Sequence, residues 1–361
     1  MADLLDLVVV GGGPGGTAAA ITAAGCGARV LLLERGRFPR HKVCGEFISA
    51  EGVALLEQLG LMSVVRAAPK ISAARLFAGT AVAEAPVSPP AASISRYELD
   101  DALWRLAIES GADCRQSIEV RAVHGTGPFT LETAAGTMTT RAVVNASGRW
   151  SNLRRRHSRP PQRASWVGWK AHFCEADHPA PSVDLYFFAG GYCGVQPLGN
   201  GGVNVCAMAR ATVARSLAEV LSLHPTLSHR SRNWEPVFDP ITTAPLLFGH
   251  PQPVENGVLL VGDAAGFIDP FLGDGITLAL RGGIIAALAL KEFWPGRTSL
   301  TDAVNRYSQE YDRELRPLFR NASWLRRLTS IPQALHTPVM AIVGSPRLTR
   351  FFIRKTRLRA S

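Results

Sequence analysis

The amino-acid sequence predicts an α/β fold in which a parallel, nucleotide-binding sheet is combined with an inserted antiparallel sheet and a C-terminal helical segment. Continuous apolar runs that end at glycines are typical of buried parallel strands. Short alternating runs between turn residues are typical of antiparallel strands. The length of 361 residues suits two domains, and a composition of 47% hydrophobic and 19% charged residues is that of a globular protein.

The first predicted unit is a strand, a helix and a second strand within about thirty residues. Leu5 to Val10 is an apolar run, Thr17 to Ala24 is an alanine-rich helix, and Ala28 to Leu33 is a second apolar run. Two parallel strands need such a crossover connection, usually through a helix. The pattern therefore predicts a βαβ unit.

A Gly-x-Gly-x-x-Gly turn joins the first strand to the helix. Gly11 allows the tight turn, Gly13 lets a pyrophosphate approach the backbone, and Gly16 lets the helix pack closely on the strand. The helix N-terminus offers free N–H groups and a positive dipole end to phosphates. Glu34, eighteen residues after Gly16, can accept hydrogen bonds from a ribose hydroxyl, and Arg35 follows it in the same site. This region is expected to bind a dinucleotide.

Two later motifs indicate that the dinucleotide carries a flavin. Asp263 follows an apolar run and can hold a polyol such as ribitol. Gly273, Gly275 and Ile276 then open a predicted helix, whose unpaired N–H groups and dipole would stabilise negative charge on a reduced flavin ring. The expected cofactor is FAD.

The remaining predicted elements set the domain organisation. Antiparallel strands are expected at 71–77, 81–87, 167–173, 183–188, 192–196 and 202–207. Helices are expected at 97–110, 212–223, 275–293 and 300–328. We assign residues 1–70, 96–164 and 257–298 to a discontinuous, Rossmann-like FAD-binding domain, residues 71–95 and 165–256 to an antiparallel-sheet substrate domain, and residues 299–361 to a basic C-terminal helical segment.

The positive charge of the chain is concentrated at its C-terminal end. Residues 313–361 carry eleven basic side chains and one acidic side chain, which equals the whole net charge of +10. Apolar residues are interleaved with them, so the segment can rest on an anionic membrane surface or form a solvated face over a packing stripe. Nothing in the sequence resembles a nucleic-acid-binding module, and no nucleic-acid partner is expected.

Cysteine usage and hydropathy set the expected location. The six cysteines are scattered without zinc-ligand spacing, which predicts reduced thiols and no metal site. The N-terminus lacks the basic and apolar regions of a secretory signal, and no uncharged apolar run reaches the length of a membrane span. We expect a cytoplasmic protein, with membrane association through the basic end left open.

With these motifs in hand, the chain resembles the superfamily of FAD-dependent oxidoreductases that unites aromatic hydroxylases, flavin halogenases and geranylgeranyl reductases. It is most similar to the geranylgeranyl reductase-like proteins, over roughly residues 5–295. The resemblance rests on the glycine turn and on three further stretches: FPRHKVCGE from Phe38, SRYELD from Ser95 and GDAAGFIDPFLGDGI from Gly262.

The resemblance also implies roles for individual residues. Arg40 would meet the pyrophosphate region, and Arg96 would meet the flavin or its phosphates. Cys44 lies in a Lys-x-Cys-Gly run that resembles a reductase loop near the flavin. Its thiol can donate a proton to a substrate carbon after hydride transfer, or it can simply pack. Independently of the resemblance, the alternation of residues along the strand at 165–173 and the aromatic character of the sheet strands lead us to expect Trp169 and Tyr192 in the lining of the substrate pocket.

The sequence departs from the related families at two motifs. Hydroxylases carry an Asp-Gly-x-x-Ser-x-x-Arg fingerprint linked to NADPH, whereas Ser147 here replaces the aspartate, so NADPH and another electron donor both stay open. Geranylgeranyl reductases carry Tyr-x-Trp-x-Phe-Pro, of which Tyr192 and Pro197 are retained while Gly194 replaces the central aromatic residue. Both tryptophans of the halogenase motif are missing there. Gly194 is expected to enlarge the pocket or change its shape.

The sequence thus predicts an FAD-dependent oxidoreductase that acts on a hydrophobic small molecule of isoprenoid, lipid or polyketide type. Reduction or desaturation of a C=C bond at the flavin is the first hypothesis. An FAD-dependent monooxygenase acting on an aromatic or polyketide substrate is the second. A flavin-binding electron-transfer protein without a substrate of its own is the third.

Overall fold

The computed structural model describes residues 4–149, 153, 166–175, 181–270 and 273–320. The strands are β1 (Leu5–Val10), β2 (Val30–Glu34), β3 (Phe47–Ile48), β4 (Lys70–Ala78), β5 (Ala81–Ser93), β6 (Asp113–Gln116), β7 (Val120–His124), β8 (Phe129–Thr133), β9 (Gly136–Asn145), β10 (Trp166–Cys174), β11 (Ser182–Phe188), β12 (Gly191–Pro197), β13 (Gly202–Arg210), β14 (Glu235–Pro236), β15 (Ile241–Leu246), β16 (Val254–Glu255) and β17 (Val258–Leu260). The helices are α1 (Pro14–Gly25), α2 (Ala50–Leu59), α3 (Met62–Ala67), α4 (Arg96–Glu109), α5 (Leu217–Ser222), α6 (Pro225–Arg230), α7 (Gly275–Leu290) and α8 (Leu300–Glu314).

The first sheet contains the predicted βαβ unit. Its strands run in the order β16-β17-β9-β1-β2-β6, with the β7–β8 hairpin attached through β9. β17, β9, β1, β2 and β6 are parallel to their neighbours in this series, as their continuous apolar sequences predict. Helices α1 and α7 cross so closely that a Cβ added to Gly283 would lie 2.1 Å from the Gly15 carbonyl oxygen. The α/β fold class predicted from the sequence is confirmed.

The second sheet is mainly antiparallel and forms a roof beside the first one. Its nine strands run in the order β14-β10-β13-β12-β11-β4-β5-β3, with β15 also paired to β10. β11 and β4 pair in parallel. One face of the sheet packs against α5 and α6 through a separate apolar core. The other face looks toward the carboxyl ends of the parallel strands, where a cavity lies.

Two predicted helices differ from the observed ones. The helix predicted at 212–223 begins only at Leu217, because the Ser216 side chain caps it by accepting a hydrogen bond from the Glu219 N–H. The helix predicted at 300–328 is observed as α8, followed by a helical turn at 316–320. The rest of that prediction, with most of the basic C-terminal segment, falls outside the described residues.

Helix α8 packs on the first sheet rather than standing apart from it. The Tyr307 hydroxyl donates a hydrogen bond of 2.5 Å to the Leu260 carbonyl oxygen, and Arg281 of α7 forms an ion pair of 2.7 Å with Glu314. Among the described residues, no helix combines the length and the hydropathy needed to cross a bilayer.

Candidate functional site

The glycine turn after β1 has the close backbone contacts that its motif predicts. Gly11 has a φ of +105°, and a Cβ built on it would lie 2.4 Å from the Ala146 carbonyl oxygen. A Cβ on Gly16 would lie 1.8 Å from the Gly11 carbonyl oxygen. Gly13 is different, because nothing lies closer than 3.7 Å to a Cβ at that position. Gly13 is also the N-cap of α1 and makes no side-chain cap, so the N–H groups of the first turn stay available to a ligand.

Glu34 ends β2 and anchors the turn. Its carboxylate accepts hydrogen bonds from the N–H groups of Gly12 at 2.8 Å and Gly36 at 2.7 Å, and from Arg40 at 2.7 Å. Burial alone would raise the pKa of Glu34, but Lys42, these N–H groups and Arg40 outweigh burial and lower it. Glu34 therefore stays a carboxylate, which is the acceptor that a ribose hydroxyl needs.

The two arginines beside Glu34 differ in their surroundings. Arg40 is paired with Glu34 on the cavity wall. Arg35 also lines the cavity but keeps 67% of its side chain exposed and approaches Glu119 at 3.6 Å. The structure thus brings both arginines to the same part of the cavity as Glu34.

A second group of charges lies at the start of α4, where the Ser95 side chain caps the helix. Arg96 forms a two-pronged ion pair with buried Asp100, with distances of 2.6 and 2.7 Å, and the Lys42 ammonium lies 3.1 Å from the same carboxylate. Burial opposes ionisation of Asp100, yet Arg96 and Lys42 lower its pKa. Because Arg96 and Lys42 also lie beside the open side of Gly13, they place positive charge where a pyrophosphate would lie.

Asp263 and the N-terminus of α7 face the same cavity. The Asp263 side chain is 39% accessible because it lines the cavity. The surrounding protein removes it from bulk water, which raises its pKa, although Arg149 opposes this shift. Gly273 has a φ of +69°, and a Cβ there would lie 2.7 Å from the Phe47 ring. Gly275 begins α7, and Ile276 is buried in its first turn. This arrangement suits the polyol and the ring of a flavin.

Cys44 lies on a loop that is attached to the roof sheet. The Asn204 side chain of β13 donates to the Cys44 carbonyl oxygen at 3.3 Å and to the Gly45 carbonyl oxygen at 2.8 Å. The Glu46 N–H lies 3.4 Å from the Cys44 sulfur, and Arg96 also interacts with that thiol. The thiol lines the cavity.

Glu46 fixes the end of this loop through a buried cluster of charges. It has a φ of +58°, unusual for a residue with a side chain, and its carboxylate is fully buried. The carboxylate accepts hydrogen bonds from Lys170, from the Arg96 N–H at 2.5 Å and from His172 Nε2 at 2.9 Å. Burial would raise the pKa of Glu46, but His172 and Lys170 lower it. The cluster therefore joins the loop to β10 and α4.

His41 sits at the outer side of this cluster. Its ring stacks on Phe238 with centroids 3.8 Å apart and meets the His172 ring edge-on at 4.9 Å. Burial and the neighbouring Lys170 and His172 lower the pKa of His41 to about 4. The ring is therefore neutral at physiological pH.

One continuous cavity of about 900 Å³ connects these parts. At one end it is lined by the glycine turn, Glu34 and Arg35, and at the other by apolar side chains of the roof sheet. The apolar lining includes Leu76, Ala78, Val183, Leu185, Phe187 and Met208. The volume and the change from polar to apolar walls suit an extended cofactor with a hydrophobic substrate beside it.

The three residues expected to line the substrate pocket do not all lie there. Tyr192 and Gly194 of β12 line the cavity, and burial raises the pKa of the Tyr192 phenol well above its usual value. A Cβ on Gly194 would meet Leu185 at 3.4 Å and the Cys206 carbonyl oxygen at 3.6 Å, which are ordinary contacts, so a side chain could begin there without a clash. Trp169 instead lies on the other face of the roof sheet, in the core with Ala171 and Phe173. The expectation for Trp169 was therefore wrong. Side chains alternate along β10, so Lys170, which contacts Glu46, and Trp169 lie on opposite faces of the sheet.

Two site residues were not singled out from the sequence. Lys170 is a fully buried lysine within a strand, and a lone lysine in an otherwise apolar run was the available signal. Arg149 lines the cavity beside Asp263, four residues after the end of β9 at Asn145. Among the described residues, no group of three or more His, Cys, Asp or Glu side chains is arranged to hold a metal ion.

Comparison with known proteins agrees with this geometry. The model of a family described as FAD dependent oxidoreductase matches residues 6–64, which include the glycine turn and Glu34. A menaquinone reductase of Mycobacterium tuberculosis is 31% identical over 330 residues, covering 81% of this chain and 79% of that protein. A digeranylgeranylglycerophospholipid reductase of Methanopyrus kandleri is 29% identical over 339 residues, covering 88% and 84%.

Solved structures share the fold along nearly the whole chain. A geranylgeranyl bacteriochlorophyll reductase-like protein of Thermoplasma acidophilum has a TM-score of 0.78 at 21% identity, covering 98% of this chain and 95% of that one. A flavin-dependent brominase has a TM-score of 0.79 at 19% identity, covering 98% and 93%. Together with the sequence relatives, these matches show that the chain is an enzyme of the FAD-dependent oxidoreductase superfamily that contains the geranylgeranyl reductase-like proteins.

Proposed function

We propose that this flavoenzyme reduces a carbon–carbon double bond in the apolar part of a lipid-like or quinone-like substrate. The observation that carries the proposal is the single cavity that joins the glycine turn to an apolar roof and has the Cys44 thiol on its wall. Burying an apolar chain against such a roof is favourable by about 25 cal/mol per Å². The names of the relatives, a menaquinone reductase and a prenyl-lipid reductase, support this substrate class.

In this proposal the polar end of the cavity holds FAD. When bound and reduced by two electrons, the flavin would supply the hydride that the double bond requires and would return to oxidised FAD. The N–H groups at the start of α1 would meet the pyrophosphate, and the Glu34 carboxylate would accept from a ribose hydroxyl. Asp263 would hold the ribitol. The backbone from Gly273 to Ile276 would carry the flavin ring, with the α7 dipole favouring negative charge on it.

Reduction of a double bond also needs a proton at the second carbon, and in this proposal the Cys44 thiol supplies it. The S–H bond breaks as the new C–H bond forms, and the sulfur keeps the electron pair. The resulting thiolate would face the Arg96 guanidinium, which already interacts with this thiol. Solvent then returns the proton to sulfur, which completes the balance of one hydride and one proton per double bond.

Reduced FAD must be regenerated by an electron donor, and we propose NADPH as the first donor to test. Bleaching of the flavin absorbance by NADPH without oxygen would support this assignment. If NADPH leaves the spectrum unchanged while dithionite bleaches it, the donor belongs to another class.

The decisive experiment reduces the FAD-loaded protein without oxygen and adds a lipid or quinone with an unsaturated isoprenoid chain. The proposal expects reoxidation of the flavin together with a product that has gained two hydrogen atoms. Cys44→Ala should slow this step at least about tenfold, since general acids commonly contribute 10²–10⁴-fold. Cys114→Ser, a change at a thiol outside the cavity lining, is the matched control and should leave the rate unchanged.

The two other hypotheses have their own outcomes in the same assay. A product that gains an oxygen atom when air is admitted would make the chain a monooxygenase. Flavin that reoxidises at the same rate with and without every candidate substrate would favour an electron-transfer protein. Either result would contradict the reductase proposal.

We also propose that the basic C-terminal segment brings the enzyme to an anionic membrane surface, where an apolar substrate would be found. This proposal rests on the charge pattern of residues 313–361 alone. Flotation with vesicles that contain phosphatidylglycerol tests it. A variant with Arg354, Lys355, Arg357 and Arg359 changed to Gln should float less than the unmodified chain, and equal flotation would refute it.

A further inference from the structure

We propose that Arg149 forms a binding site for the acceptor oxygens of the substrate's polar head, such as a quinone carbonyl or a phosphate. The site lies where the cofactor end of the cavity meets the apolar roof. This inference rests on the proposed function, because it assumes that a substrate with an apolar chain occupies the roof.

The contacts of Arg149 leave part of its guanidinium unpaired. Its Nε lies 3.4 Å from Asp263 Oδ2, and its Nη2 lies 3.4 Å from Thr243 Oγ1. Its Nη1 is buried and has no hydrogen-bond partner among the residues that the structure describes. A buried donor without a partner costs about 1–3 kcal/mol, and more when it is charged. Such groups in folded proteins call for an explanation, and a ligand supplies one.

Three other cations on the cavity wall lie closer to a carboxylate than Arg149 does, although Arg40 Nε also lacks a partner among the described residues. Arg35 is more distant from its carboxylate but keeps 67% of its side chain exposed to solvent. Arg40, Lys42 and Arg96 lie 2.7, 3.1 and 2.6 Å from the carboxylates of their partners. Arg149 has its nearest carboxylate, Asp263, at 3.4 Å, and burial lowers the pKa of Arg149 more than Asp263 raises it. Its positive charge is therefore less compensated than theirs and remains available to an oxygen acceptor.

The surroundings of Arg149 would place a bound head group between the charged cofactor end of the cavity and its apolar roof. The guanidinium carbon lies 4.2 Å from the centroid of the Phe267 ring, a cation–π contact that fixes its plane. Phe267 packs against the roof cluster of Tyr192, Met208 and Leu246. A head group held at Arg149 would thus direct an attached apolar chain along the roof. A guanidinium is suited to carbonyl and phosphate oxygens because it presents several N–H donors in one plane.

The test compares probes that differ in their oxygen atoms. Calorimetric titration of the FAD-loaded protein would use menadione, a naphthoquinone, against 2-methylnaphthalene, a matched hydrocarbon without carbonyls. Dodecyl phosphate forms the third arm. Arg149→Met should weaken binding of menadione or dodecyl phosphate about tenfold to a hundredfold, the effect of losing a hydrogen bond to a charged group. Binding of 2-methylnaphthalene should not change, and the oxygen probe that loses more affinity identifies the head group.

Two comparisons separate this inference from other roles of Arg149. Arg210→Met is the control, since Arg210 also stacks on an aromatic ring, Trp166 at 4.9 Å, and does not line the cavity. It should bind all three probes like the unmodified protein. Loss of FAD from Arg149→Met with unchanged probe binding would assign Arg149 to the cofactor and overturn the inference. Equal loss for all three probes would show a structural role and also overturn it. The proposed reductase activity fails separately, if no double bond is reduced by the unmodified enzyme.

Discussion

Replacement of Lys170 by methionine should destabilise the fold through the buried charge of Glu46. Both side chains are fully buried and in direct contact. Removal of one partner of a buried ion pair costs about 3–5 kcal/mol, because the other charge is left uncompensated. Glu46 would keep the hydrogen bonds from His172 and the Arg96 N–H. We therefore expect a loss near the lower limit, about 3 kcal/mol.

The assay is urea unfolding followed by tryptophan fluorescence at neutral pH and one fixed FAD concentration, since a bound cofactor shifts apparent stability. Arg115→Met is the matched control, because Arg115 pairs with Asp113 at the surface, where such a pair contributes at most about 1 kcal/mol. Glu46→Gln added to Lys170→Met should restore part of the loss by removing the unpaired charge. If the free energy of unfolding of the Lys170→Met protein lies within about 1 kcal/mol of the unmodified value, which is the limit for a surface pair, the reasoning is refuted.

The same pair predicts the acid dependence of stability. The pKa of Glu46 is lower in the folded protein than its ordinary value of 4.5. The unfolded chain therefore binds the proton first, and the stability that Glu46 contributes is complete above about pH 4.5. It is lost as the pH falls from there through the folded pKa. Lys170→Met should flatten this part of the stability profile, and an unchanged profile would argue against the pairing.

Three further perturbations test the turn, the roof and the histidine beside the loop. Gly16→Ala should lower the FAD content and the stability, because its Cβ would lie 1.8 Å from the Gly11 carbonyl oxygen. Gly25→Ala in the same helix has open space around its Cβ and should retain FAD. The flavin-to-protein absorbance ratio measures the FAD content of both variants. Gly194→Trp should take up cavity volume beside the roof and reduce turnover of bulky substrates more than that of small ones. An equal effect on both would contradict the cavity assignment. The His41 pKa is depressed to about 4 in the folded state, so the unfolded chain binds the proton first and stability falls as the pH drops from about 6.5 to 4. His41→Asn should abolish this fall. If the ring were solvated, unfolding measured across this pH range would show no difference between the two proteins.

Sequence reasoning succeeded where the chemistry is local. The contacts at Gly11 and Gly16 follow from the spacing of one turn, and Glu34 is placed by the strand that immediately follows α1. The Lys170–Glu46 contact joins residues 124 positions apart, and no local pattern specifies it. The face of Trp169 was also missed. Alternation along β10 puts Trp169 with Val167, Ala171 and Phe173 on one face, and Lys170 and His172 on the other. The local pattern does not say which of these two faces meets the cavity.

The contacts of the Cys44 loop indicate which part of the site is fixed and which can vary. Asn204 holds the loop backbone, while Lys170 and His172 hold the Glu46 carboxylate, so moving the loop would separate buried charges. In the proposed reduction the Cys44 thiol would have to meet a reacting carbon within a narrow range of distance, and a loop held this firmly suits that requirement. The roof is built differently, from apolar side chains around Gly194, where an added Cβ would make only ordinary contacts. Substitutions of these roof side chains change the volume of the cavity without breaking an ion pair. We therefore expect the loop to govern proton delivery and the roof to govern which substrate is accepted, so that substitutions at the two places should act on different kinetic steps.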